Sequence, residues 1–324
     1  MGGTELMGIG LAQRLDPELL SKFQIIRSRV REIDSTRLPI LWNHDLAGDP
    51  EAAHYSEHKG RAFPLNVFVS NWQKDAFIAQ HGVIPSTTAV IKNAIVPIPD
   101  SMIKKEGKIK LIYHSTPHRG LDILMYVFAE KIAKENPGKY ELHLYSSFKL
   151  YGWEQRDKEF QRLFDFADIH PDIFNHGTQP NDVVRKALAE ADIFAYPSTW
   201  QETSCICAIE ALSAKCLVVC PNYAALPETT GNFALMYDWS EDKQNHAERF
   251  RETLRFAIEI AEKRRTGRIG EHPMLQLSRR FDLQKDWTDM SYCWENIVPL
   301  WVGHLENVFT TYGHRLGNKV ESVD

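Results

Sequence analysis

Two glutamates, Glu202 and Glu210, have seven residues between them. Along a shared helix that spacing is roughly 12 Å of rise. Two carboxylates that far apart cannot share one proton or one metal ion, but they suit hydroxyls at opposite ends of an extended ligand. Glu202-Thr203-Ser204 reads as a helix start, acidic and hydroxyl residues before an apolar run. The amides of Thr203, Ser204 and Cys205 are then expected as unpaired donors at a positive dipole end, which suits a phosphate. A ligand presenting sugar hydroxyl, diphosphate and ribose hydroxyl in that order fits. Taken alone, the spacing also fits a solvated helix with two surface glutamates.

Further candidates stand elsewhere in the chain. The loop His114-Ser115-Thr116-Pro117-His118 runs into Arg119-Gly120. A glycine at a strand-to-helix turn lets the backbone approach a phosphate, and a neighbouring cation neutralises it. Otherwise Arg119 is a solvated helix-start residue, at a dipole end that disfavours it. Trp42-Asn43-His44-Asp45 ends an apolar run, and a lone His there is commonly a surface or satisfied core residue. His54 and His58, with Asp49, Glu51 and Glu57, have some character of a metal site, but the polar segment reads better as a mobile loop. Five cysteines, four of them within 205–220, are no disulfide framework. Their apolar surroundings favour buried free thiols over zinc ligands.

The elements that must hold these groups alternate. Strand candidates at 23–26, 40–42, 66–70 and 89–93 surround a helical stretch near 71–80. Others follow at 109–113, 141–145, 173–176, 193–196, 216–220 and 233–237. Helical patterns separate most of them, with an Asn181 or Asp182 cap before 181–189. Repeated β-α units mean doubly wound parallel sheets, whose ligands sit at the carboxyl ends of strands. Gly2-Gly3-Thr4-Glu5 reads as a glycine turn with Thr4 as N-cap. The prolines of 94–100 and the charges of 104–107 mark a linker. Trp287, Trp294 and Trp301 recur every seven residues, a core stripe on a terminal helix.

Composition sets the bounds. With 324 residues and 43% hydrophobic content, two domains are favoured over one. The net charge of −5 gives no attraction for nucleic acid. No apolar run approaches a membrane span, and the expected location is cytoplasmic. Lys263-Arg264-Arg265 with Arg268 is either a peripheral contact for an anionic membrane or a solvated helix end. No D-x-D and no G-x-G-x-x-G occurs, which disfavours a metal-bridged diphosphate and a dinucleotide fold. Two carboxylates spread along one helix also disfavour glycoside hydrolysis.

The line Tyr196-Pro197-Ser198 through Glu202 and Glu210-Ala211-Leu212, then Leu217-Val218-Val219 and Leu226-Pro227-Glu228, resembles the donor-binding segment of family-four retaining glycosyltransferases, the group 1 transferases. Lys215 stands where that family usually has glycine, Ala94 replaces another, and His114 stands where its best-known subgroup has arginine. Ser115-Thr116-Pro117-His118-Arg119-Gly120-Leu121 is similar to a variant of the pattern. The likeness covers 89–240 well and 1–88 thinly.

The resemblance implies a GT-B-like architecture, with two Rossmann-like domains facing across a cleft and a small amino-terminal one. The boundaries expected are 1–94 for the acceptor side, 95–107 for the linker, 108–284 for the donor domain and 285–324 for a helix packing back across both. The family has a GG-x-E loop after its first strand. Gly3 here stands near the chain start with no strand before it, either a minimal domain or a trimmed first strand. By the resemblance, Glu202 holds sugar hydroxyls and Glu210 the ribose. Arg119, Gly120, His114, Ser115 and the amides of Thr203, Ser204 and Cys205 meet the diphosphate, and Gly177 lines the base pocket. His44 touches the donor sugar from the other domain, and Gly3 also contributes. The implied reaction moves a sugar, with retention and without metal or other cofactor, from a nucleotide-diphosphate sugar to an unidentified acceptor (glycan, lipid or protein), with a glycan or lipid-linked partner expected. The competing reading is an inactive nucleotide-sugar-binding or structural subunit of the same fold.

Overall fold

The computed structural model describes residues 2–100, 107–266 and 280–317. The chain forms two units, one holding Met1–Ala94 and Tyr292–Asp324 and the other Ile95–Ser291. Both are α/β with wholly parallel sheets.

The first unit opens with α1 (Gly3–Ala12) and α2 (Pro17–Ser21), the latter capped by Asp16. Strands β1 (Phe23–Arg27) and β2 (Leu38–Asn43) follow. Helix α3 (Tyr55–His58), strand β3 (Leu65–Phe68), helix α4 (Asn71–His81) and strand β4 (Thr88–Val90) complete the run. The sheet order is β1-β2-β3-β4. Its strands are apolar because both faces are covered, the rule for parallel sheets.

Two expectations are corrected here. The glycines at the start make no turn: Gly2 is the N-cap, in extended conformation and without a side-chain cap bond, and Gly3 is the first helical residue, so Thr4 caps nothing. The segment expected as a mobile loop is ordered. Asp49 caps a short 3-10 turn at Pro50–Ala52, and α3 buries Tyr55 completely. The Tyr55 hydroxyl donates to Asn66 Oδ1 at 2.8 Å, and His54 Nδ1 lies 2.7 Å from His58 Nε2.

The second unit is built on six strands: β5 (Ile109–Tyr113), β6 (Tyr140–Leu144), β7 (Ile173–Asn175), β8 (Ile193–Ala195), β9 (Leu217–Asn222) and β10 (Leu235–Asp238). Between them run α5 (Leu121–Val127, extended by a π turn over Phe128–Ala133), α6 (Gln161–Ile169), α7 (Asn181–Glu190), α8 (Ile206–Ser213) and α9 (Leu226–Thr230). The long α10 (Lys243–Arg265) and then α11 (Arg280–Tyr292) follow. The order is β10-β9-β8-β5-β6-β7. Counted from the first strand of the unit, this is the doubly wound Rossmann order, which reverses direction between β5 and β8. The core is continuous, from Leu111 and Phe194 through Val218 to Phe250 and Leu254.

Several details differ from expectation. In the stretch read as a linker, the Ile98 amide donates to Ser213 Oγ at 2.9 Å and Ile98 is buried in this unit's core; 101–106 lie outside the described residues. Helix α7 starts after Pro180 with no side-chain cap, so neither Asn181 nor Asp182 caps it. The basic cluster is no free patch. Lys263 pairs with Glu259, Arg264 lies over the Phe281 ring at 3.7 Å, and Arg265 pairs with buried Asp192. Arg268 lies outside the described residues.

The chain re-enters the first unit with α12 (Trp294–Tyr312) and α13 (His314–Gly317). The tryptophan stripe is therefore not on one helix. Cys293 is extended and breaks it. Trp287 on α11 fills the space over Gly231, where an added Cβ would lie 2.2 Å from its ring. On α12, Trp301 meets Trp42 edge to face at 4.7 Å, and Trp294 packs on Gly10. Among the described residues no helix is long and apolar enough to cross a membrane.

Candidate active site

At the point where the strand order reverses, the connections leaving β5 and β8 go to opposite sides of the sheet and open a crevice. The loop after β5 carries His114 to Gly120, and the loop after β8 carries Tyr196 to Cys205. Gly120 has φ +95°, and a Cβ there would lie 2.1 Å from the Pro197 carbonyl oxygen. The glycine thus serves the close approach of the two loops.

Across this junction Arg119 Nη1 donates to Glu202 at 2.9 Å (Oε1) and 3.2 Å (Oε2). The Tyr196 hydroxyl donates to the same Oε1 at 2.6 Å and lies 3.5 Å from Ser115 Oγ. Glu202 is only 4% exposed. A carboxylate removed from water this far needs its charge matched, and the arginine and phenol supply that. Burial works against the Arg119 charge, and the Glu202 carboxylate together with Tyr196, Tyr151 and Cys205 more than offsets this, so the guanidinium is held firmly protonated.

The helix after this loop begins later than its sequence suggests. Cys205, with φ +64°, is the N-cap, and α8 starts at Ile206. The Thr203, Ser204 and Cys205 amides therefore lie in the loop before the helix, and Glu202 and Glu210 are not on one helix. Ser204 and Cys205 are buried and Thr203 half-buried. The axial-rise argument for the separation of the two glutamates fails with it.

Glu210 is on α8 and 6% exposed. Arg185 on α7 donates to its Oε1 at 2.8 Å and, through Nη2, to the Val96 carbonyl at 2.6 Å. Burial raises the Glu210 pKa, while Arg185 and the Asn181 side chain pull it back. Asn181 spends its amide here instead of capping α7. Between the two carboxylates, Cys207 donates to the His114 carbonyl at 2.9 Å. Burial and then Glu210 push its thiol up to about 12, so it is no thiolate nucleophile.

Two histidines stay neutral. His114, 8% exposed and against Phe194 at 4.9 Å, is lowered by burial to about 4. His118 is lowered to about 4 by burial and then by Arg119. Its ring stacks on Phe148 at 5.2 Å and meets Trp200 edge to face at 5.1 Å. Buried His114 Nε2, Thr116 Oγ1, His118 Nδ1 and Ser146 Oγ make no hydrogen bond within the described protein. Unused buried polar capacity concentrated at one sheet edge marks a place where a polar ligand or water belongs.

The structure thus joins Arg119, Gly120, His114, Ser115, Glu202 and the 203–205 loop into one group, with Glu210 one side chain away through Cys207. Gly177 lies in the turn after β7, with φ +59° and nothing within 4 Å of where its Cβ would be. His44 and Gly3 belong to the first unit. His44 follows β2, its amide donating to Ser28 Oγ at 2.8 Å and its ring 4.7 Å from Trp42. Burial, then the Arg27 charge, lower its pKa to about 3. The first unit also has a cavity of about 600 Å³ lined by Gly8, Leu11, Leu20, Phe23, Arg27 and Trp42 among others, and it includes none of the candidate residues.

Sequence reasoning missed Tyr196 and Arg185. Tyr196 carried a signal, a phenol ending an otherwise apolar strand just where ligands bind. Arg185 carried none, since an arginine on a helix's polar face is ordinary.

Residues 110–255 match the family model described as Glycosyl transferases group 1. No curated protein matches the chain in sequence. Among solved structures, a glycosyltransferase from Rickettsia africae ESF-5 superposes with a TM-score of 0.65 at 13% identity, covering 95% of this chain and 80% of its own. Anabaena Alr3699/HepE, solved with UDP and glucose, gives 0.62 at 16%, covering 84% and 72%. The α,α-trehalose 6-phosphate synthase from Burkholderia multivorans gives 0.63 at 10%, covering 85% and 67%. At such identities these likenesses establish the fold.

Proposed function

We infer that this chain, which belongs to the group 1 glycosyltransferases, moves a sugar from a nucleotide-diphosphate sugar to a glycan or lipid-linked acceptor, with retention and without a metal. The observation that carries this reading is the Arg119–Glu202–Tyr196 cluster at the switch point of the second unit. A nucleotide diphosphate brings two negative charges to the place where Arg119 already stands. The guanidinium is shared between Glu202 and the incoming phosphates, and the diphosphate draws it toward the leaving group as the glycosidic bond breaks. Electrostatic stabilisation of that kind is the main contribution expected of the protein.

Glu202 and Glu210 are proposed as acceptors for sugar and ribose hydroxyls. Each is held in place by an arginine, Glu202 by Arg119 and Glu210 by Arg185. The amides of 203–205, with Gly120, His114 and Ser115, line the phosphates, and Gly177 lines the base. For His44 we propose a donor-sugar contact; its depressed pKa makes it a neutral hydrogen-bond partner and not an acid. Neither nearby histidine is a ready general base, because burial has taken their basicity. Proton removal from the acceptor is therefore assigned to the leaving phosphate.

The test is Glu202→Gln, which keeps shape and hydrogen bonding and removes the charge, assayed where urea unfolding shows the variant still folded. Sugar transfer, measured as nucleotide release in the presence of acceptor, is expected to fall about 100-fold, the loss typical of one electrostatic contact in a transition state. Transfer at the wild-type rate would contradict the assignment.

A further inference from the structure

Beside the Arg119–Glu202 pair the second unit exposes rings that its own core does not use. Trp153 is 47% exposed, Trp200 42% and Tyr151 38%. Tyr151 and Trp153 stack at 5.5 Å between centroids. The Arg156 guanidinium lies over the Phe148 ring at 4.2 Å and reaches Trp153 at 5.9 Å. Phe148 in turn stacks on His118, and Trp200 meets His118 edge to face. One run of contacts therefore links Trp200, two residues before Glu202, to Trp153 and Tyr151. The phenol of Tyr151 is close enough to act on the Arg119 charge, which ties the far end of the row back to the pair.

The row is built, not incidental. Asp157 accepts from the Phe148 amide at 2.8 Å and from the Ser147 hydroxyl, fixing the turn that displays Tyr151 and Trp153. Lys149, Glu154 and Arg156 are exposed among the rings. Phe148 itself is buried, so the surface shows the Tyr151–Trp153 pair and Trp200, joined beneath by Phe148 and His118; exposed aromatic faces of this kind mark a ligand surface. Its chemistry is flat, apolar faces bordered by charged hydrogen-bonding groups. A pyranose ring has the complementary surface, an apolar C–H face with a rim of hydroxyls. A lipid tail would not use the charged border, and an acidic peptide would not need the open ring faces.

We propose that the Tyr151–Trp153–Trp200 shelf binds the saccharide acceptor, so that the acceptor is a glycan whose pyranose rings stack beside the donor site, on the second unit as well as on the 1–94 segment expected as the acceptor side. This rests on the transferase reading for its role as acceptor subsite, while the saccharide binding itself is a property of the shelf. Trp153 is the residue to test, because it is exposed and outside the proposed donor contacts.

The experiment titrates maltohexaose, cellohexaose, chitohexaose and mannohexaose into the full chain without nucleotide, following intrinsic tryptophan fluorescence and heat. UDP, GDP and ADP are titrated separately into the same samples. Wild type should bind at least one saccharide. Trp153→Ala should weaken it at least tenfold, Trp153→Phe should keep most of the affinity, and melting temperature and nucleotide affinity should not change. Failure of all four saccharides to bind wild type would overturn the proposal, as would a Trp153→Ala variant that binds as tightly. A variant that loses nucleotide-sugar affinity but not saccharide affinity would also overturn it, making the ring a donor contact. Absence of nucleotide binding with the saccharide result intact would contradict the donor-site reading and leave the shelf standing.

Discussion

Arg119 and Glu202 neutralise each other inside the second unit, and this shapes what single substitutions report. Removing one partner leaves a buried charge and costs about 3–5 kcal/mol of stability, which would be confused with lost function. Replacing both, Arg119→Met with Glu202→Leu, leaves no orphaned charge. The double variant is expected to unfold within about 1 kcal/mol of wild type in urea, and to bind no nucleotide. His114 gives a separate prediction. Its folded pKa of about 4 lies below the usual value near 6.5, so between those values the unfolded chain takes up a proton that the folded one refuses. The His114 contribution to stability is full above about pH 6.5, falls as pH drops through that window and levels off below it. His114 accounts for about 3 kcal/mol of the fall. His114→Phe, which keeps a ring against Phe194, should flatten the slope of unfolding free energy against pH; an unchanged slope would contradict the burial argument.

At the scale of elements, the strands were legible because parallel strands buried on both faces are short unbroken apolar runs, as at Ile193–Ala195 and Leu217–Val219. Helix starts were less so. Cys205 holds a left-handed conformation that nothing in a cysteine announces, and it moves the start of α8 past the acidic and hydroxyl residues that look like a cap. Lys215 takes another such position, φ +59°, where the resembling family has glycine. The residue type hid the turn, although the family comparison pointed to it. Gly120 is the position where the backbone requirement is absolute. Gly120→Ala combines a positive φ with a Cβ 2.1 Å from the Pro197 carbonyl oxygen, and clashes of backbone with backbone cannot be relieved by a rotamer change. A loss of at least about 2 kcal/mol in chemical denaturation is expected, within the range for overpacking and strain. A variant of wild-type stability would mean the loops do not approach as described.

At the scale of the molecule, the heptad of tryptophans misled because a seven-residue repeat does not reveal a break of one residue. Cys293 ends one helix and starts the next, so Trp287 belongs to the second unit's packing and Trp301 to the first's. The chain's two ends thus stabilise one unit, which the order of elements alone could not say. Trp301→Ala removes a fully buried ring from against Trp42. It is expected to cost about 3–5 kcal/mol, with amide exchange accelerated in β1–β4 and α12 and little changed in β5–β10. Equal acceleration in both sheets would contradict the division into two units. The residues proposed for the donor site, Glu202, Glu210 and the Arg119-Gly120 turn, could be named from the sequence. The residues that hold them, Tyr196, Arg185 and Asn181, could not, because pairing across distant elements leaves no local pattern.

The central claim is that the switch point of the second unit binds a nucleotide diphosphate through Arg119, which Glu202 holds in place. Calorimetric titration of UDP, GDP and ADP into wild type and into the Arg119→Met/Glu202→Leu variant tests it most directly. The account predicts saturable binding of at least one nucleotide to the folded wild type and none to the folded double variant. Equal binding by both proteins, or no binding by folded wild type, would contradict it.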